Sequence, residues 1–281
     1  MTQSYVEREP RAELAAMVRT VWIQRTEGLA YVQRHLPTGG VEIHFPIGGP
    51  PQLLGPLTGP HLELIPPHTT LVGVRFHPGA APPLPTALDD LVDQRVPLRE
   101  VWGNTVPGGS VDRLGEAMAA ASGPDAALDL LQAHLLEAFR SAGRVDPLVR
   151  ETVRLLMPWR PVEVGTTAAR LAISTSQLRR RCLHAVGIGP KPLQRVLRLQ
   201  GFLALAQAGP GPGGTGRGAA RLAVEAGYAD QAHLSRECLS LTGLSPRELL
   251  AGGEDRCGCG HDHTASYRPF LAFRAMAPLP R

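Results

Sequence analysis

STSQLRRRCLHAVGIGP (174–190) and DQAHLSRECLSLTGLSP (230–246) are two copies of one pattern set 56 residues apart. Six of the 17 aligned positions are identical, pairing Leu178 with Leu234, Arg180 with Arg236, Cys182 with Cys238, Leu183 with Leu239, Gly187 with Gly243 and Pro190 with Pro246. The shared pattern has a mechanical meaning. Ser174 and Asp230 suit the position just before a helix, where a side-chain oxygen accepts a free N–H of the first turn. Gln177 follows Ser174 by three residues and completes a capping box in the first copy. Leu and Cys four apart give each helix an inward stripe, and Gly with Pro three residues later predicts a left-handed stop.

A short helical run precedes each cap: TTAARLA (166–172) and GAARLAVEA (218–226). Helix, tight turn and capped helix make a helix-turn-helix unit, whose second helix enters the DNA major groove. The outward positions are Thr175, Ser176, Arg179 and Arg180 in the first unit, and Gln231, Ala232, Ser235 and Arg236 in the second. Arg can grip guanine or a phosphate, and Gln can read adenine. Between the copies, PKPLQRVLRLQGFLALAQA (190–208) reads as one long helix. Such a spacer would set the two recognition helices for successive major-groove faces, about 34 Å apart. Arg195 and Arg198 on it could touch phosphates or could hold the two units together.

Charge agrees with this placement. Residues 1–149 hold 11 basic and 16 acidic side chains, a net of −5, whereas residues 150–250 hold 14 and 6, a net of +8. The polyanion partner is thus expected at the C-terminal half alone. Three consecutive Arg (179–181) point to the first unit as the larger source of affinity. No apolar run reaches a membrane span, and the charged N-terminus lacks a secretory signal, so a cytoplasmic protein is expected.

Residues 1–110 read as β-rich: VRTVWI (18–23), VEIHF (41–45) and TLVGVRF (70–76) alternate with Gly/Pro turns. Residues 111–146 turn helical, with Leu128, Leu131, Leu135 and Phe139 on one face. That stripe either packs on the β-rich domain or pairs with a second chain as a homodimer. SAGRVDP (141–147) is the expected hinge. The fold class is therefore α+β and multidomain: a β-rich domain (1–110), a helical connector (111–146), an all-α double helix-turn-helix domain (147–250) and a Cys/His tail (251–281).

The chain resembles AraC/XylS family regulators over about residues 160–250. GYADQAHLSRECLSLTGLSPRE (227–248) is similar to the family's second unit, and GIGPKPLQRVLRLQ (187–200) to its linker helix. The resemblance implies sequence-specific binding of double-stranded DNA, usually with activation through RNA polymerase, and a separate effector or dimerisation domain. LPTGGVEIHFPIG (36–48) and LVGVRFHPGAAP (71–82) resemble, more weakly, the family's cupin-like sensor barrels, implying a small-molecule effector. The chain departs from the family pattern in three places. Ala172 stands where the first turn usually has Gly, which predicts strain, and Cys182 and Cys238 stand where Phe is usual. The GPGPGGTGRG insert (209–218) is longer than usual.

Five histidines fall in the β-rich part: His35, His44, His61, His68 and His77. Glu42 and His44 share a strand face, but no tight HxH pair occurs, so polar or core roles are expected over a metal. In the tail, CGCGHDH places Cys257, Cys259, His261 and His263 at alternate positions, a donor set that suits zinc. Zinc there is the one cofactor considered, and the reading requires none. The competing classes are a metal-dependent cupin enzyme fused to a DNA-binding domain, a metal-responsive regulator using the tail, and a non-specific nucleoid protein.

Overall fold

The computed structural model describes residues 3–102, 110–141, 145–159, 162–208, 219–250 and 261–276. Eight strands come first: β1 (Gln3–Arg8), β2 (Val18–Thr26), β3 (Tyr31–His35), β4 (Glu42–Pro46), β5 (Gln52–Leu54), β6 (His61–Ile65), β7 (Thr70–Phe76) and β8 (Arg95–Pro97). The three runs singled out by alternation become β2, β4 and β7. They lie side by side at the centre of a six-stranded antiparallel sheet ordered β1-β2-β7-β4-β5-β8. β3 and β6 form a separate two-stranded sheet.

The expected barrel is thus two open sheets rather than one closed cylinder. Helices remove the need for closure. One face of the large sheet (Val21, Ile23, Ile43, Phe45, Val72, Val74) packs on α1 (Leu98–Trp102), α2 (Val111–Ala119) and α3 (Pro124–Ser141) in one apolar core. Leu128, Leu131 and Leu135 are 0–3 % exposed in that core, with Phe139 packed against it. The connector's stripe therefore faces its own chain and is not available to a second one.

The opposite face of the large sheet carries polar groups. Trp22, Gln24 and His44 look across to Gln33, His35 and Ile65 of the small sheet. Gly73, paired with Trp22 across the β2–β7 ladder, has no room for a side chain, because a Cβ would lie 2.0 Å from the Trp22 ring. Gly73→Ala should therefore cost about 3 kcal/mol by forcing the indole aside, measured as a lowered urea midpoint. An unchanged midpoint would mean that Trp22 relaxes freely.

The C-terminal half is helical: α4 (Pro147–Leu156), α5 (Val164–Arg170), α6 (Thr175–Val186), α7 (Pro190–Gln207), α8 (Ala219–Glu225), α9 (Gln231–Thr242) and α10 (Pro246–Leu250). α7 is its axle, with Leu193, Val196, Leu197, Leu199 and Phe202 all at most 1 % exposed in the second core. The tail is not only a tail. Residues Thr264–Met276 form α11, which lays Tyr267 and Phe270 against α7 and reaches β1 and β2. Among the described residues, no helix is long and apolar enough to cross a membrane.

Candidate nucleic-acid interface

Both repeat copies fold as their caps dictate. In α6, Ser174 Oγ accepts from Gln177 N at 3.1 Å and Gln177 Oε1 accepts from Ser174 N at 2.9 Å. In α9, Asp230 accepts from His233 N at 2.6 Å. Gly187 (φ 83°) and Gly243 (φ 70°) end the two helices in the left-handed region. Leu178, Cys182, Leu234 and Cys238 point inward at 0–1 % exposure. In the turn before α6, Ala172 holds φ 53°, the strain its substitution for Gly predicts, whereas the second turn has Gly227 at φ 84°.

Thr175, Ser176, Arg179, Arg180, Gln231, Ala232 and Arg236 are exposed, and Ser235 is half-buried with its hydroxyl donating to Gln231 O. The recognition faces of both helices are therefore presented to solvent. The linker arginines are used within the chain instead. Arg195 donates to both Glu237 oxygens (3.1 and 2.8 Å) and to Ser240, and Arg198 lies 5.5 Å from the centre of the Tyr228 ring. Of the two roles open to them, these contacts fit the fastening of α7 to the second unit. Arg181, last of the three consecutive arginines, pairs with Asp146, the N-cap of α4.

The other ends of the recognition helices rest on the N-terminal domain. A Cβ on Gly187 would meet Leu88 O and Pro56 Cγ, each at 2.7 Å. Arg34 Nη1 donates to Thr242 O at 3.2 Å, just before the Gly243 stop of α9. Arg34 also lines a cavity of about 40 Å³, together with Trp22, Glu42, Gln200 and Tyr267 among others. The cavity has room for a few waters or a small polar molecule. Gln200 of α7 accepts from Arg19 Nη2 at 2.7 Å and donates to Pro37 O at 2.8 Å, so it ties the axle helix to the sheet.

Arg19 is only 4 % exposed, and among the described residues it has no carboxylate partner and its Nη1 has no hydrogen bond. Burial and the neighbouring Arg75 charge push its pKa down to about 10. Burial and the Arg19 charge likewise push His77 down to about 4. An unfolded His takes up its proton near pH 6.5, so between pH 6.5 and 4 the unfolded chain binds more protons than the folded one. Stability should fall across that window, by about 3 kcal/mol from His77 at pH 4. Glu7, Glu42 and Glu63 are all held below the carboxylate range and add their losses only below about pH 4.5. Urea midpoints at pH 7, 5.5 and 4.5 check this. A His77→Gln variant that is no less sensitive to acid would contradict it.

Of the four tail donors, Cys257 and Cys259 lie outside the described residues. His261 stacks on Tyr5 with ring centres 5.0 Å apart, and His263 Nδ1 donates to Glu7 at 2.7 Å. Glu7 also accepts from Ser266 N and Arg75, which docks the start of α11 on β1. Nothing in the spacing of the tail signalled that docking, and Pro269 inside α11 masked the helix. The hinge residues 142–144 and the insert 209–218 also lie outside the described residues.

Residues 167–252 match the family model of a helix-turn-helix domain, and residues 6–97 match that of a domain of unknown function (DUF6597). No curated protein matches the chain. Among solved structures, an apo form of ToxT from Vibrio cholerae is similar at TM-score 0.48 and 12 % identity, covering 87 % of this chain and 99 % of that one. ToxT from Vibrio cholerae O395 is similar at TM-score 0.45 and 9 % identity, covering 89 % of this chain and 97 % of that one.

Proposed function

We propose that the chain, whose residues 167–252 match a helix-turn-helix domain, is a sequence-specific transcription regulator of the AraC/XylS type reading two adjacent major-groove segments, one per unit. One observation carries this reading. Both recognition faces are exposed, while the C-terminal stops of both helices rest on the N-terminal domain. That domain is thereby the reference body against which the two helices are spaced. The spacing sets which operators fit.

The N-terminal domain acts as a sensor in this reading. An effector entering the cavity would touch Arg34 and Gln200, the same side chains that hold α9 and α7. Binding there would favour one spacing of the helices over the other by its differential affinity for the two states. Because one chain carries both units, a homodimer is not required for two-groove contact. Activation through RNA polymerase is carried over from the family resemblance.

Selection of binding sites from random duplex DNA by the full chain tests the core claim. Two short conserved segments about 10 base pairs apart, centre to centre, are expected. Affinity independent of sequence at fixed salt would replace this reading with a non-specific nucleoid role.

A further inference from the structure

The tertiary fold assembles a donor cluster that no local motif announces. His35 on β3, His44 on β4 and Glu63 on β6 each place one ligand atom so that the three lie within 4.8 Å of one another, between the two sheets. We propose that His35, His44 and Glu63 bind one divalent transition-metal ion of the zinc class.

The spacing is close to what such an ion needs. Ligand atoms about 2.1 Å from a tetrahedral ion stand about 3.4 Å from each other. His35 Nε2 is 2.9 Å and His44 Nδ1 is 3.7 Å from the same Glu63 oxygen, both within about half an ångström of that spacing. Two imidazoles and one carboxylate suit zinc, cobalt or ferrous iron. They supply too few oxygens for calcium or magnesium.

A second observation points to the same place. His44 is 0 % exposed, and among the described residues neither ring nitrogen has a hydrogen-bond partner. Its nearest carboxylate oxygens, 3.5 Å away on Glu42 and 3.7 Å away on Glu63, are beyond good bonding distance. An unpartnered buried imidazole is costly, and an ion at Nδ1 would satisfy it. The Nε2 side then faces Glu42, itself held by Arg75 Nε at 2.7 Å. Carboxylate, imidazole and ion in a row is how proteins orient a ligating histidine.

Arg95 now pairs with Glu63 from the outer side and is 21 % exposed, so it can turn to solvent as the ion takes over the carboxylate. Glu42 and Arg75 continue through Glu7 to Ser266 on α11, which joins the cluster to the helix packed on α7.

The test uses the full chain carrying Cys257→Ser and Cys259→Ser, so that tail thiols do not compete. The metal-free protein is titrated with Co²⁺ and Zn²⁺. One equivalent should bind, with the visible absorption of low-coordinate cobalt. Glu63→Gln and His44→Ala should each weaken binding at least 100-fold, and Glu42→Gln about 10-fold. His35→Gln stands in if His44→Ala fails to fold by circular dichroism. No cobalt uptake by the folded chain overturns the proposal, as does undiminished affinity in Glu63→Gln together with a folded histidine variant.

Discussion

Glu7→Ala should destabilise the protein by about 3–5 kcal/mol, the loss expected when one partner of a buried ion pair is removed. The Glu7 side chain is 1 % exposed. It accepts from Arg75 at 2.8 Å, His263 at 2.7 Å, and the Ser266 amide and hydroxyl at 2.9 Å each. Burial alone would raise its pKa, but His263 and Arg75 outweigh burial and hold it well below the carboxylate range. Removal takes a carboxylate from His263 and leaves Arg75 to Glu42 and Ser266. The damage should be local first. Amide exchange over 264–276 should accelerate, and the Trp159 indole, which donates to Phe270 O, should report α11 leaving its seat. A stable variant with slow exchange in α11 would show that apolar packing alone holds the helix.

Arg179→Ala with Arg180→Ala should have the largest effect on DNA binding. Both residues are exposed on the outward side of α6, whose capping box and Gly187 stop fix the helix ends. A base-reading Arg contributes about 1–3 kcal/mol and relaxes specificity at one position when lost. A phosphate-contacting Arg instead weakens all sequences alike and lowers the salt slope by about one. Titrations of specific and random duplexes at two salt concentrations separate these outcomes. Neither change should alter the stability read from urea unfolding by more than about 0.5 kcal/mol, since neither side chain is buried. Unchanged binding in the double variant would remove α6 from the interface.

The legible and illegible parts differ by the range of their interactions. Ser174 with Gln177 and Leu178 with Cys182 act across three or four residues, and that is the distance over which a repeat can be read. Arg195 was ambiguous for the same reason. Its phosphate and Glu237 readings differ only in what lies 42 positions away. The connector stripe was legible as a stripe, but its partner, the Val72–Val74 face of the sheet, was not.

By itself the sequence determined the two capped helices, their glycine stops, the long helix between them and the three central strands. Each is specified by hydrogen bonds within one helical turn or by simple alternation along a strand. Only the tertiary structure decided that the sheets stay open, that α11 returns to Glu7, and that the N-terminal domain backs both recognition helices. It alone decided that His35, His44 and Glu63 meet. These depend on antiparallel register and on contacts such as Arg34 to Thr242 and Glu7 to Ser266, 208 and 259 residues apart. At such separations chain entropy erases any local signal, and packing of the whole core chooses the partner.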